Sequence, residues 1–343
     1  MNCYLSRNYK GITSAGNKAK SDIEAIMSEM HYKNVGLKKT TYRNSIIAFL
    51  YTLAGVLKSP YCLHKGDNLV LQYPLKKYFA LVCKLAHIRG ARVIVIIHDL
   101  GSFRRKKLTI EKEIKRLNNA DCIIAHNDKM KKWLELHDCK AKILTLGIFD
   151  YLSETKATEQ PSIERPFNVI YAGALAKRKN TFIYNLGKHL GNFKLNLYGS
   201  GFEAENAEGI EHIRYMGFVQ SDQLIATANG HFGLVWDGAS IDGCTGDFGE
   251  YLQYNNPHKT SLYIRCEIPV IIWRKAALAS FVEREQIGLC IDSLAELDTL
   301  LQKLRIEEYK AMKERTKIIS QRLAEGHYAK QAITAAINEL EKQ

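Results

Sequence analysis

The sequence predicts an α/β protein of two domains, each built around a doubly wound parallel sheet. The chain has 343 residues, which exceeds the size at which a single hydrophobic core usually keeps growing. Short apolar runs without alternation recur along it, as expected for strands that are buried on both faces. Helical stretches separate these runs, and strands that alternate with helices are typical of a doubly wound sheet.

The first half of the chain contains the pattern of one such domain. Its apolar runs predict buried parallel strands at 68–74, 91–99, 121–127 and 142–150. Its stretches of helical periodicity are 43–58, 75–89, 108–118 and 128–138. We therefore expect an N-terminal domain over residues 1–152. The polar stretch 153–166 carries two prolines, a composition typical of an exposed linker, and we place the domain boundary there.

The alternation restarts after this linker. Apolar runs predict further strands at 168–173, 195–199, 231–238, 267–273 and 288–292. We expect a second α/β domain over 167–318. The tail, 319–343, is charged and helical and has no strand of its own, so its apolar residues must dock elsewhere. We expect it to cross back and pack on the N-terminal domain.

Composition excludes several classes of protein. With 46% hydrophobic and 25% charged residues, the chain resembles an ordinary globular protein. The eight cysteines stand singly, without the spacing of a zinc site or a disulfide framework. The N-terminus lacks the apolar region of a signal peptide, and we expect no run of the about 18 apolar residues that a spanning helix needs. These features predict a cytoplasmic protein.

The formal net charge of +13 attracts anions of any kind. Charge alone leaves nucleic acid, a phosphorylated substrate and an anionic membrane face open as partners. The densest basic run, 104–107, is not accompanied by a zinc-finger or RNP pattern. We therefore expect no nucleic-acid partner, and we leave open a peripheral position on the inner face of the plasma membrane.

The segment VIYAGALAKRKN places cations directly after a buried strand. Gly173 ends the strand, and Arg178 is the central cation of the run that precedes the next helix. Ligands of open α/β sheets bind at the carboxyl ends of strands, where a guanidinium and a helix N-terminus suit a diphosphate. A solvated basic loop is an equally good interpretation of this segment alone.

The next strand ends in LNLYGSGFE, where Gly199 and Gly201 allow a sharp turn close to a ligand. The third glycine and the ribose-binding acid of a dinucleotide site are missing. A plain turn is therefore the simpler interpretation of this segment.

The segment YNNPHKTSLY predicts the start of a helix, with Asn255 or Asn256 as its N-cap and Pro257 in its first turn. Lys259 then opposes the helix dipole unless an anion is bound there, which makes it a candidate phosphate ligand. His258 is a candidate contact to a sugar or ribose hydroxyl, although an isolated histidine is more often structural.

Two segments of the first domain also carry candidates. In ITSAGNKAKSD, Gly16 joins a strand to a helix and presents backbone N–H groups, although a capped helix start is as good an interpretation. The strand ARVIVII delivers His98 and Asp99 at its carboxyl end, where catalytic groups collect. Asp99 is a candidate general base for an acceptor hydroxyl, and the alternative is a cap of the following turn.

Together these segments resemble glycosyltransferases of the GT-B architecture. They are most similar to the bacterial β-1,6-galactofuranosyltransferases of polysaccharide synthesis and the glucosyltransferases that extend GlcNAc on serine-rich adhesins. The resemblance is carried by AGNKAKSD, IHDL, LGIFDY, NNPHKTSLYI and IPVIIW and runs over nearly the whole chain. It implies two Rossmann-like domains facing across a cleft, a UDP-sugar bound chiefly by the second, and an acceptor approached from the first.

The same resemblance implies roles for individual residues. Lys259 and Arg178 would hold the diphosphate, Gly16 and Thr13 would close over it, and Tyr198 and Asn256 would border the nucleotide. The sequence has no Asp-x-Asp metal motif, and GT-B enzymes generally stabilise the leaving diphosphate with basic side chains and helix N-termini. We therefore expect no metal and no cofactor besides the donor. The paired glutamates of many retaining GT-B enzymes are also missing, which favours inversion with Asp99 as the base.

These observations predict transfer of a sugar, galactofuranose first and glucose second, from a UDP donor to a hydroxyl. The expected acceptor is a glycan or lipid-linked saccharide in cell-surface polysaccharide or glycoprotein synthesis. One alternative is a non-catalytic subunit that binds a nucleotide sugar or glycan within a glycosylation complex. A protein that binds RNA or DNA is the other, and it would bind any polyanion with a steep salt dependence.

Overall fold

A computed structural model describes residues 1–9, 15–103, 108–158, 163 and 165–342. The chain divides into two compact units. The first runs over Met1–Asp150 and resumes at Gly326, and the second runs over Tyr151–Glu325. Each unit contains one six-stranded sheet whose strand pairs are parallel. The predicted α/β class with two Rossmann-like units is confirmed.

The first unit contains β1 to β6 and, before the second unit begins, α1 to α5. Its strands are β1 (Asn2–Tyr4), β2 (Lys33–Asn34), β3 (Asn68–Tyr73), β4 (Arg92–Ile97), β5 (Cys122–Ala125) and β6 (Lys142–Thr145). Its helices are α1 (Ala15–Glu29), α2 (Ser45–Cys62), α3 (Phe79–Ile88), α4 (Ile110–Leu117) and α5 (Asp128–Leu136). The strands lie in the order β2-β1-β3-β4-β5-β6, so the order reverses between β1 and β3.

The second unit repeats this design. Its strands are β7 (Phe167–Ala174), β8 (Phe193–Ser200), β9 (Ile213–Gly217), β10 (Phe232–Val235), β11 (Val270–Trp273) and β12 (Gly288–Ile291). Its helices are α6 (Phe182–Leu186), α7 (Ser221–Thr227), α8 (Gly246–Tyr251), α9 (His258–Arg265), α10 (Ala279–Glu285), α11 (Leu297–Lys303) and α12 (Ile306–Ala324). The order β12-β11-β10-β7-β8-β9 reverses between β7 and β10.

The boundary between the units differs from the predicted linker. The division falls between Asp150 and Tyr151, and the polar segment after it belongs to the second unit. The buried guanidinium of Arg265 in α9 explains the difference, because it donates to the backbone carbonyls of Ser153 at 3.0 Å and Thr155 at 3.3 Å. A polar segment is held to the unit by hydrogen bonds that apolar periodicity does not reveal.

The last helix, α13 (His327–Glu341), belongs to the first unit, as the tail was expected to. The crossing begins at Gly326 instead of 319, because α12 continues to Ala324 inside the second unit. Gly326 has a φ of 70°, a conformation that suits glycine. The buried carboxylate of Asp150 then accepts hydrogen bonds from the backbone N–H groups of Tyr328 at 3.2 Å and Ala329 at 2.6 Å. Asp150 thus caps α13 from a distant part of the sequence.

Helix α2 bears on the expectation that the chain has no run of about 18 apolar residues. Helix α2 has 18 residues with a mean hydropathy of 1.3, which by length and composition alone is enough to cross a membrane. Only 22% of it is buried. The helix itself was predicted at 43–58, and Thr52, Lys58 and Pro60 interrupt its apolar residues.

We predict that Asp150→Asn changes how stability depends on pH. Burial raises the pKa of Asp150 from an ordinary 3.8 to about 7. A carboxyl group whose pKa is higher in the folded state binds more protons there, so its contribution to stability is complete below pH 3.8 and is lost as the pH rises towards 7. As the pH rises from 4 to 8, the free energy of unfolding of the native protein, measured in urea, should therefore fall relative to that of the variant. A difference that stays constant with pH would contradict this assignment.

Candidate functional site

The reversal of strand order in the second sheet locates a candidate ligand site. Ligands of open α/β sheets bind outside the carboxyl ends of the strands, at the point where the order reverses. Here that point lies between β7 and β10. Tyr171 lies on β7, Asp237 follows β10 by two residues, and Lys259 lies in the first turn of α9. We call these three residues the switch-point triad.

The members of the switch-point triad are bonded to one another. Lys259 Nζ donates to Tyr171 Oη at 3.1 Å, to Asp237 Oδ1 at 3.0 Å and to the carbonyl oxygen of Trp236 at 3.2 Å. It also lies 4.4 Å from the centroid of the Tyr171 ring, and the Tyr171 hydroxyl donates to Asp237 Oδ1 at 3.1 Å. The three N–H donors of the ammonium group are therefore directed at protein oxygens.

Electrostatics explain why the triad is stable. Burial raises the pKa of Tyr171 well above its ordinary value, and the carboxylate of Asp237 raises it further, so the phenol keeps its proton and donates. A lysine in the first turn of a helix is unfavourable unless an anion compensates it. Sequence reasoning expected a bound phosphate in that place, and the structure shows that Asp237 supplies a negative charge from the protein itself. Asp237 directly follows the predicted strand HFGLVW. The expectation that catalytic groups collect at the carboxyl ends of strands, which singled out Asp99, therefore applies to Asp237 as well.

The loop after β7 is fixed by a fully buried amide, Asn180. Its Nδ2 donates to the carbonyl oxygen of Ala174 at 2.7 Å, and its Oδ1 accepts from the backbone N–H of Gly238 at 3.3 Å. Asn180 therefore ties the loop after β7 to the loop after β10 across the point where strand order reverses. Nothing in the sequence indicates this role, because an asparagine that is buried in a polar loop cannot be told from any other loop residue by its pattern.

Three cationic residues follow the carboxyl end of β7. Residues 177–179 form a turn, in which the ammonium groups of Lys177 and Lys179 lie 5.9 Å and 5.1 Å from the rings of Tyr184 and Phe248. Arg178 is exposed and makes no hydrogen bond or ion pair with any residue that the structure describes. The guanidinium of Arg178 is thus available to an anion at the carboxyl end of β7.

Two of the glycines at the predicted strand ends, Gly173 and Gly199, have a structural explanation. Gly173 and Gly199 are register neighbours on β7 and β8, and a Cβ atom on Gly199 would lie 1.9 Å from the carbonyl oxygen of Gly173. Gly199 is therefore required for the close approach of two strands. Gly173 is exposed at the end of β7, close to the Tyr171 ring.

One candidate, Tyr198, does not lie with the others at this edge. Tyr198 is 4% exposed, and its hydroxyl accepts a hydrogen bond at 3.3 Å from the backbone N–H of Asn229, which precedes β10. Burial raises the pKa of Tyr198. Because its hydroxyl is bonded to the segment entering β10, Tyr198 is not brought together with the switch-point triad.

The start of α9 differs from the predicted cap. Pro257 occupies the N-cap position, and neither Asn255 nor Asn256 caps the helix. Asn256 is 4% exposed, while Oδ1 of Asn255 is buried without a hydrogen-bond partner among the residues that the structure describes. His258 begins the helix and stacks on Tyr151, with 4.7 Å between the ring centroids. This contact fixes the His258 ring within the second unit.

In the first unit, the carboxyl end of β4 holds the expected pair. Asp99 is half-buried, and the His98 ring stacks on Phe149 at 5.2 Å. Nε2 of His98 lies 2.7 Å from Oε1 of Gln72, and since an amide oxygen only accepts, Nε2 carries the proton.

The loop that follows Asp99 is held by Glu113. This buried carboxylate accepts from the backbone N–H groups of Gly101 at 2.8 Å and Ser102 at 2.7 Å, and from the Tyr73 hydroxyl at 2.8 Å. Glu113 lies in α4, which appears in the sequence only as an amphipathic helix. Its role in positioning the loop had no sequence signal.

The remaining candidates lie near the start of α1. Gly16 is the second residue of the helix and is exposed, with open space where a Cβ atom would be. Thr13 lies outside the described residues. Within the described part of the chain, no group of three or more His, Cys, Asp or Glu side chains is arranged to hold a metal ion.

Comparison with known proteins identifies the family. The N-terminal domain model of glucosyltransferase 3-like proteins matches residues 2–148, and the C-terminal domain model matches residues 169–336. The chain belongs to the glucosyltransferase 3-like family. It is 33% identical over 329 residues to the β-1,6-galactofuranosyltransferase WbbI of Escherichia coli K12, covering 95% of each chain. It is 25% identical over 282 residues to glucosyltransferase 3 of Streptococcus gordonii, covering 80% of each.

Solved structures share the fold of this glucosyltransferase 3-like chain. HepE of Anabaena, solved with UDP, superposes with a TM-score of 0.63 at 14% identity, covering 97% of this chain and 98% of its own. The lipopolysaccharide outer core galactosyltransferase WaaB superposes with a TM-score of 0.58 at 12% identity, covering 98% and 99%. The resemblance inferred from the sequence is confirmed, and the protein is a glycosyltransferase of the GT-B type.

We predict that the pair Lys259–Asp237 contributes more to stability than an exposed pair. Its side chains are 15% and 14% exposed, so Lys259→Met leaves a largely buried carboxylate unpaired. We expect a loss of about 2 kcal/mol in the free energy of unfolding. The matched control is Lys188→Met, which breaks a 2.9 Å pair with Glu208 whose side chains are 55% and 53% exposed. That change should cost less than about 1 kcal/mol. Equal losses in the two variants, measured by urea unfolding, would refute the assignment.

Proposed function

We propose that this glycosyltransferase moves galactofuranose, or glucose as second choice, from a UDP-sugar to a hydroxyl of a glycan or lipid-linked saccharide. The observation that carries the proposal is the cationic edge of the second sheet, where the strand order reverses. The 33% identity to a galactofuranosyltransferase over 95% of the chain supports galactofuranose before glucose. HepE, which has the same fold, was solved with UDP and with UDP-glucose.

In this proposal, the second unit binds the donor. Arg178 contacts the diphosphate through charge-assisted hydrogen bonds, which are roughly twice as strong as neutral ones. Lys259 contributes positive charge from the first turn of α9 and reaches a phosphate oxygen by exchanging one of its three protein oxygens. Gly173, Asn256 and His258 border the nucleotide or its sugar. The leaving diphosphate is stabilised by these groups without a metal ion.

The transfer itself is proposed to invert the anomeric centre. Asp99 takes the proton from the acceptor hydroxyl as its oxygen attacks the anomeric carbon, and the bond to the UDP oxygen breaks. The loop held by Glu113 keeps the carboxylate at the carboxyl end of β4. The sugar then carries one new glycosidic bond, and UDP leaves.

We predict that Arg178→Ala weakens UDP binding about tenfold, because a lost charge-assisted hydrogen bond is worth about 1.5 kcal/mol or more. Calorimetric titration with UDP, with a chelator present throughout, measures the change. The matched control is Lys194→Ala, which also removes one exposed cation but lies at the amino end of β8, the opposite edge of the sheet. Equal weakening in both variants would indicate a general charge effect, and no UDP binding to the native protein would end the donor proposal.

We predict that Asp99→Asn lowers turnover at least about 100-fold, because a general base contributes that much, while UDP affinity changes less than twofold. UDP release from UDP-galactofuranose and UDP-glucose, with a panel of glycan acceptors, measures turnover. Asp138→Asn is the control, since its side chain is 89% exposed and asparagine tolerates the φ of 62° at this position. Native turnover in Asp99→Asn would assign the base to another residue.

A further inference from the structure

Helix α2 presents large apolar side chains to solvent. Ile46 is 69% exposed, Leu50 57%, Leu57 51% and Tyr61 85%. These four residues follow one another at intervals of 4, 7 and 4 positions, which places them along one side of the helix. We call them the apolar stripe.

The opposite side of α2 is made of small residues. Ala48, Gly55 and Ser59 are buried against the unit together with Val56. A Cβ atom on Gly55 would lie 3.2 Å from the backbone nitrogen of Leu37, so the inward side has little room for larger residues. A surface helix of a globular protein normally turns its large apolar residues towards the core. Helix α2 has the reverse arrangement.

Two further apolar side chains of α2 flank the stripe. Ile47 and Phe49 are 48% and 42% exposed. Phe49 lies beside the residue that precedes α3, because the Tyr78 hydroxyl donates to the carbonyl oxygen of Phe49 at 3.2 Å. We call the stripe and these two side chains the apolar patch, and an exposed patch of this kind marks a surface that interacts with a protein or a membrane.

The part of the chain that contains α2 and α3 is strongly basic. Between Glu29 and Asp99 the chain has eleven lysines and arginines and one acidic residue, Asp67. The carboxylate of Asp67 is buried and paired with the N-terminal amine at 2.8 Å. Lys38 lies beside α2, because its carbonyl oxygen accepts from the Tyr51 hydroxyl at 2.9 Å, and the ammonium group of Lys77 lies 5.9 Å from the Phe49 ring.

We propose that α2 docks on an anionic lipid bilayer. The apolar stripe enters the boundary between headgroups and acyl chains, and the lysines and arginines beside it contact lipid phosphates. The helix lies along the surface instead of spanning the bilayer, because Ala48, Val56 and Ser59 are packed inside the first unit. A second copy of the chain fits less well, since a two-fold contact would place the same cations against each other. This inference does not depend on the identity of the donor.

Flotation of the full chain with lipid vesicles tests the proposal. The protein should float with vesicles of phosphatidylglycerol and phosphatidylcholine in equal parts, and the bound fraction should fall with added salt and with phosphatidylcholine alone. The triple variant Ile46→Ser, Leu50→Ser, Leu57→Ser should bind about tenfold less, because it loses three apolar anchors. These side chains are exposed, and urea unfolding verifies that the variant folds.

A matched control tests whether vesicle binding depends on the apolar side chains of α2 or on exposed apolar side chains in general. The triple variant Leu136→Ser, Ile210→Ser, Ile318→Ser removes three other exposed aliphatic side chains, which are 82%, 42% and 56% exposed, and should float like the native protein. A second probe is Leu50→Trp with brominated lipids. The native tryptophans, Trp133, Trp236 and Trp273, are buried, so quenching on vesicle binding should report the new side chain.

Three results would overturn the proposal. One is native protein that stays unbound with the anionic vesicles. Another is equal binding by the α2 variant and its control. The third is a native dimer in light scattering that dissociates in the α2 variant, which would assign the surface to a second copy of the chain.

Discussion

The strands at the centre of both sheets are buried on two faces, and this constraint decides where polar groups can lie. Val93 to Ile97 of β4 and Phe232 to Val235 of β10 are buried. A charged group within such strands would lose its hydration without compensation. Ionisable side chains therefore gather where the strands end, as Asp99 does after β4 and Asp237 after β10. The candidate site residues Asp99 and Asp237 thus lie at strand ends because of the same packing that stabilises the two cores.

The sequence predicted the fold well because apolar runs mark buried strands directly. It missed β2 and β9, since Lys33–Asn34 is too short to form a pattern and Ile213–Gly217 is largely exposed. Lys259 was correctly placed in the first turn of α9, whereas its partners were not foreseen. Contacts such as Lys259 to Asp237 join residues that are distant in sequence, and periodicity carries no information about them.

Other site residues show the same limit. The prediction that Asn255 or Asn256 caps α9 followed from local preferences, but Pro257 takes the cap position. Asn180 and Glu113 hold the loops at the two candidate edges, and each acts through backbone groups that any residue type could supply. Such roles depend on tertiary geometry alone. Side-chain identity predicts the chemistry available at an edge better than it predicts which contacts are made there.

The crossing of α13 has a consequence for the order in which the protein is completed. Ala329, Ile333 and Ala336 are fully buried within the first unit, although they follow the whole second unit in the chain and are synthesised after it. A nascent chain that ends at Asp150 has all six strands of the first sheet but lacks the helix that covers part of it. The first unit therefore reaches its final packing only after the second unit has left the ribosome. A fragment cut at the boundary between the units would likewise retain an uncovered apolar surface.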